Sequence, residues 1–150
     1  MQRTLAAGGR VAFSIAPSFV AAFPELSIGQ LRTALKRLGA CAVEETAVGA
    51  AAVSEIYSDL VATTESPVIS ACCPVVTRLV EKYYPELTGN LAPVVSPMIA
   101  HGRILKQKLG EDLFVVFVGP CIAKIAEGRD SDIAGSIDAV LTFEHLATWF

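Results

Sequence analysis

Charge is scarce in this sequence. Only 18% of its residues are Asp, Glu, Lys or Arg, against about a quarter in an ordinary soluble domain. Twelve basic residues face fifteen acidic ones, for a net charge of −3, so there is no basic field for a nucleic-acid backbone. Long apolar runs are missing too, although 53% of the 150 residues are hydrophobic. A membrane-spanning helix needs about 18 or more apolar residues with few charges. The longest candidates, Val11 to Pro24 and Leu113 to Ala123, are shorter and contain proline. No membrane partner is expected. Met1 to Gly9 lacks the apolar core and cleavage site of a signal peptide. A cytoplasmic location is therefore expected, where the four cysteines are more readily thiols than disulfides. No two of them form Cys-x-x-Cys, which argues against a dithiol redox motif and against the usual zinc-ligand spacing. Internal repeats and low-complexity tracts are also absent.

What is present is an alternation of buried strands and helices. A chain of this length makes one domain that buries roughly 70% of its unfolded surface. Short apolar runs at Arg10–Ala16, Cys41–Glu45, Pro67–Ser70, Leu113–Val118 and Ile137–Leu141 read as five strands. Between them, Ser27 caps a helix carrying Ile28, Leu31, Leu35 and Leu38, and Gly39 closes it. A second helix is expected over roughly Gly49 to Thr63, with Val53, Ile56, Tyr57 and Leu60 as its apolar stripe. Pro74 and Pro97 suit the first turns of two more, Ser96 caps the second of these, and Thr142 caps the last. The pattern predicts an α/β fold, a parallel sheet with helices on both faces, as a single lobe over residues 1–150. The high apolar content follows from strands buried on both faces, with some apolar surface reserved for a partner domain. Trp149-Phe150 falls within a helix-like pattern, so the expectation is a fragment of a longer chain.

Two turns stand out, Ser70-Ala71-Cys72-Cys73-Pro74 and Gly119-Pro120-Cys121-Ile122-Ala123-Lys124. Each follows a β-branched run and precedes a helix start. Open α/β sheets keep their ligands beyond the carboxyl ends of the strands. A helix N-terminus lowers a thiol's pKa and favours thiolate, the form that binds soft metals or an iron–sulfur cluster. One such cysteine alone is as readily a small core residue, and Cys41, early in a strand, is read as core. The histidines, His101 and His145, read as surface or satisfied helix residues. Lys124 sits at a helix start, a poor place for a cation, which points to an anion nearby.

At these residues the chain resembles the catalytic domain of the iron-only (FeFe) hydrogenases. That family's first signature reads Thr-Ser-Cys-Cys-Pro, and this chain has Ser-Ala-Cys72-Cys73-Pro74. The second reads Met-Pro-Cys-x-x-Lys, matched by Gly119-Pro120-Cys121-Ile122-Ala123-Lys124. Leu79 to Leu87, Ser14 to Ser18, Ser96-Pro97 and Asp138 to Thr142 also look like family segments. The resemblance implies one lobe of a two-lobed catalytic domain in an anaerobic, electron-transferring oxidoreductase. Its cofactors would be a 4Fe-4S cluster bridged through a cysteine sulfur to a diiron centre with CO and CN ligands. Carried over by position, Cys73 and Cys121 would be two metal (cubane) ligands, and Cys72 would act as the acid/base that passes protons. Lys124 would bind one cyanide. Ala16, Pro17, Ser18, Ser96 and Pro97 would line the diiron pocket, and backbone N–H groups at Pro17-Ser18 would meet the other cyanide. A gapped alignment sets Asp59 in the place of one proton-relay glutamate.

The sequence also departs from the family. The third signature, with the other two cubane cysteines, is absent, so both cofactors need a second lobe and the isolated fragment is expected to be inactive. Gly119 replaces methionine, Met98 replaces glutamine, and Ala92 replaces the relay serine. These changes resemble a divergent, sensory branch. The expected function is the cluster-binding lobe of an iron hydrogenase, for reversible proton reduction and dihydrogen oxidation or for hydrogen sensing. Its expected partners are dihydrogen and protons, a ferredoxin-type domain or electron carrier, and the second lobe. The alternative is a non-catalytic 4Fe-4S scaffold related to cytosolic iron–sulfur assembly factors, although such relatives usually lack the cysteine at the position of Cys72.

Overall fold

The structure is a computed structural model, and it describes residue 4 and residues 7–149. Four strands, β1 (Val11–Ile15), β2 (Ala42–Glu45), β3 (Phe114–Val118) and β4 (Ala139–Leu141), form one parallel sheet in the order β2-β1-β3-β4. The central strands carry the apolar runs, interrupted only by Ser14. Every residue of β1 is buried, and so are four of the five in β3, as a strand covered on both faces requires. The edge strands are shorter and only partly buried.

The helices are α1 (Phe19–Ala22), α2 (Ile28–Arg37), α3 (Ala47–Thr63), α4 (Pro74–Tyr83), α5 (Pro97–Leu109), α6 (Ala123–Glu127) and α7 (Phe143–Ala147). Local chemistry sets their ends. Ser27 and Gln30 form a reciprocal capping box at α2, and Thr142 and His145 do the same at α7. Pro74 and Pro97 open α4 and α5 where a missing N–H costs nothing. Gly39 follows α2 with φ +102°, a left-handed backbone that favours glycine. The longest helices, α3 and α5, meet at Gly49. A methyl group there would collide with the Pro97 carbonyl and the His101 backbone, so this position sets how closely the two helices approach. No helix among the described residues is long and apolar enough to cross a membrane.

Three expectations change. Pro67–Ser70 is not a fifth strand: it makes a single parallel bridge, Ile69 to Leu91, through two backbone hydrogen bonds of 2.8 and 2.9 Å. The run is short, Pro67 has no N–H to give, and both of its ends are exposed. Cys41 is exposed rather than core, because it lies one residue before the edge strand β2. On α3 the buried positions are Gly49 and Val53, while Ile56 faces solvent.

Candidate cofactor cavity and active site

Because all four strands are parallel, their carboxyl ends lie along one edge of the sheet. The register pairs Ile15 with both Glu45 and Val118, and Val118 with Leu141. The residues that follow, Ala16-Pro17, Thr46 and Gly119 to Cys121, therefore share this edge, where such folds place their ligands. A cavity of about 300 Å³ opens there. Ala16, Pro17, Met98 and Phe117 supply most of its apolar wall, with Pro97, Ala47 and Ala50 from the starts of α5 and α3. Its functional side chains are Cys72, Lys124 and Thr46.

Two anchors hold the Cys72 turn in place. The Tyr57 phenol oxygen on α3 accepts the Ala71 N–H at 2.9 Å. From the other side the Lys124 ammonium donates to the Cys72 carbonyl at 3.1 Å. Lys124 is paired at 2.6 Å with Glu127, and both side chains are nearly buried. Glu127 thus supplies, within the chain, an anion of the kind Lys124's position led us to expect. The two cysteine turns meet through this lysine even though only the second follows a strand. Cys73 is the N-cap of α4 and is exposed. Cys121 is half-buried, two residues before α6.

The anticipated site residues therefore fall into groups. Ala16, Pro17, Cys72, Pro97 and Lys124 share the apolar cavity. Ser96 is buried beside it, its hydroxyl without a hydrogen-bond partner, and lines an adjoining cleft of about 310 Å³ together with Ala71, Arg78, Glu81 and Glu127. Ser18 is exposed at the start of α1. Asp59 is exposed on α3, and neither cavity includes it. Among the described residues no three His, Cys, Asp or Glu side chains gather into a metal-ligand set.

Sequence reasoning missed two features of the site. Tyr57 was read as a stripe residue but anchors the Cys72 turn. His101, read as a surface or satisfied helix residue, is fully buried. Its Nδ1 lies 2.8 Å from Ser14 Oγ, which in turn lies 2.7 Å from Thr46 Oγ1. Its Nε2 faces Glu44 at 3.5 Å, and Lys108 holds the other oxygen of that carboxylate at 2.9 Å. Burial holds the His101 pKa below its ordinary value, partly offset by Glu44. The Glu44 pKa is lowered, chiefly by the hydrogen bond from Lys108.

Comparison with known proteins follows the same line. The model of the family described as iron only hydrogenase large subunit, C-terminal domain, matches residues 9–150. Iron hydrogenase 1 of Clostridium pasteurianum is 32% identical over 161 aligned positions, which cover 91% of this chain and 28% of that protein. The periplasmic Fe hydrogenase large subunit of Nitratidesulfovibrio vulgaris is 28% identical, across 91% of this chain and 37% of the relative. An apo FeFe-hydrogenase HydA1 variant from Chlamydomonas reinhardtii has the same fold, with a TM-score of 0.77 at 26% identity, over 94% of this chain and 42% of that one. The chain spans less than half the length of each of these proteins. With nearly all of its residues matched, it belongs to the iron-only hydrogenase large-subunit family.

Proposed function

We propose that this chain is the lobe of an iron-only hydrogenase that walls the diiron pocket and provides Cys73 and Cys121 as two of the cubane's thiolate ligands. One observation carries the reading. Cys72 and Lys124, from two separate signatures, meet Ala16, Pro17 and Pro97 on a single apolar cavity at the carboxyl edge of the sheet. The donor set fits a small anionic-ligand group. Its walls are almost wholly apolar, Cys72 and Lys124 are among the residues that line it, and no carboxylate among the described lining residues competes for the space. Two cysteines cannot complete a cubane, so the remaining ligands belong to a second lobe. Apolar surface at the rim supports such a partner. Val75, Leu79 and Tyr83 recur along one face of α4, next to Cys73, and Ile122 beside Cys121 is 75% exposed.

When bound, the diiron group supplies the redox chemistry that interconverts dihydrogen with protons and electrons. The chain's own residues do the rest. The Cys72 thiol holds and releases a proton at the cavity wall. Lys124 brings positive charge to the cavity wall, in a position fixed by Glu127 and the Cys72 carbonyl. Pro17 has no N–H, so only Ser18 of that pair can donate a backbone hydrogen bond to an anionic ligand. Met98 and Phe117 give the cavity apolar walls.

The test is infrared spectroscopy of the full-length protein after cofactor maturation. Bands of metal-bound carbon monoxide and cyanide are expected. A cubane without those bands would overturn the hydrogenase reading in favour of an assembly-type scaffold.

A further inference from the structure

The buried cluster around His101 does not belong to either cysteine turn, yet it ends in the cavity. Thr46 is a wall residue there, and its hydroxyl lies 2.7 Å from that of Ser14. Ser14 is fully buried in the central strand and lies 2.8 Å from His101 Nδ1. The far nitrogen of this fully buried imidazole has no close hydrogen-bond partner; its nearest polar neighbour is Glu44, at 3.5 Å. Glu44 is 25% exposed, and its other oxygen is held by the exposed Lys108. Leaving a buried imidazole nitrogen unpaired is unfavourable, which calls for an explanation beyond packing. A buried pin joining α5 to the sheet would be served as well by two apolar side chains. A series of polar groups running from the partly exposed Glu44 to a wall residue of the cavity, interrupted by a single 3.5 Å step, serves a different purpose.

We propose that Glu44, His101, Ser14 and Thr46 form a proton conduit between solvent and the cavity, a route separate from the Cys72 turn. The inference deepens the function proposed above and rests on it for the purpose of the conduit, but not for its existence. Protons and bonds balance along the route. Glu44 takes a proton from water and hands it to Nε2. Nδ1–H passes its proton to Ser14 Oγ, Ser14 passes its own to Thr46 Oγ1, and Thr46 releases one to an acceptor in the cavity, water or the Cys72 thiolate. Each hop breaks one O–H or N–H bond and forms one. Reorientation of the two hydroxyls and a half-turn of the imidazole ring, which exchanges its two nitrogens, restore the start. The 3.5 Å step is long for a hydrogen bond, and a movement of about half an ångström closes it. The groups facing His101 are Ser14 on β1, Glu44 on β2 and, through Glu44, Lys108 on its own helix. The low proton affinity of the buried imidazole keeps the ring neutral at rest and lets a proton pass on without being trapped there.

The first experiment uses the full-length protein before cofactor maturation and reads exchange of the Ser14 hydroxyl proton with solvent by NMR. Exchange through the conduit is expected to be fast, and Glu44→Gln should slow it on the order of a hundredfold, the lower range for a positioned acid–base group. The β1 amide signals should not move. His101→Gln should give the same slowing. Equal exchange in all three proteins would overturn the conduit. The second experiment uses the matured full-length protein with Thr46→Val. Slower hydrogen–deuterium exchange and a larger solvent isotope effect, with unchanged infrared bands, support the conduit; an unchanged rate with intact bands refutes its role in turnover. If no protein shows those bands, the hydrogenase reading fails while the Ser14 measurement still decides whether the conduit exists.

Discussion

Lys124 donates a 3.1 Å hydrogen bond to the carbonyl of Cys72, tying together two turns that lie 52 residues apart in sequence. The same ammonium is paired with Glu127 at 2.6 Å, with both side chains about seven-eighths buried. Removing one member of a buried pair strands the other charge, at a cost of about 3–5 kcal/mol. Lys124→Met should therefore destabilise the chain by about 3 kcal/mol, the lower end, because the pair keeps some exposure. Lys124→Met with Glu127→Gln should recover most of that loss. Urea denaturation of the two variants and the parent checks it. A single variant as stable as the parent would mean that the pair contributes nothing to holding the Cys72 turn.

Contact between α3 and α5 sets the width of the cavity mouth, since both helices start in its wall. Gly49 is the point of contact. A methyl group there would lie 2.7 Å from the His101 backbone nitrogen and closer still to the Pro97 carbonyl. Backbone cannot swing aside, so Gly49→Ala should cost about 1–3 kcal/mol from overpacking. Gly29, in α2, is the control, because its nearest neighbour for a methyl group is Ser27 Oγ at 3.8 Å. Gly29→Ala should instead stabilise the chain by up to about 1 kcal/mol through helix propensity. Thermal unfolding of the pair should move in opposite directions; shifts of the same sign would show that the α3–α5 contact relaxes freely.

The sheet and its helix ends were legible because their causes are local. Phe114–Val118 is a continuous apolar run and Val11–Ile15 is one but for Ser14, a pattern that a doubly covered strand explains. The Ser27, Pro74, Pro97 and Thr142 starts are decided within four residues. Pro67–Ser70 misled because β-branched composition reports a fit to extended backbone and says nothing about which strand is available to pair. His101 was illegible for a related reason. Its hydrogen-bond partner Ser14 is 87 residues away, and an isolated histidine in a helical pattern carries no sign of a buried serine opposite it. The sequence set the two cysteine turns at one crevice, and Lys124, read there for its charge and as a cyanide partner, is the residue that joins them. Tyr57 was placed in a stripe because its aromatic ring fits one, whereas its hydroxyl does the anchoring.

Acid should weaken this fold in two stages. His101 is buried, and burial holds its pKa below the ordinary 6.5. Below that pH the unfolded chain takes up a proton that the folded chain refuses, so stability falls as pH drops. Glu44 has its carboxyl pKa held below the ordinary 4.5, chiefly by Lys108. Its contribution is complete above 4.5 and is lost as pH falls through the lowered value. Stability measured by denaturant between about pH 4 and 8 should therefore be level near neutrality and decline below about 6.5. His101→Gln should flatten the first decline and leave the second. An unchanged profile in that variant would assign the first stage to another group.

Adjacent thiols with separate tasks are the sharpest consequence of the proposed function. Cys72 faces the cavity, whereas Cys73 caps α4 at the exposed rim. In the matured full-length protein, Cys72→Ala should leave the cubane signal in electron paramagnetic resonance intact and slow hydrogen–deuterium exchange by a factor of about 100 or more, the range for loss of a positioned acid–base group. Cys73→Ala should instead lose or alter the cubane, because a thiolate ligand is gone. The contrast follows from position: a one-residue step along the chain turns one sulfur toward the apolar cavity and leaves the other at the rim. Loss of the cubane in Cys72→Ala would show that the two sulfurs do not divide the work in this way.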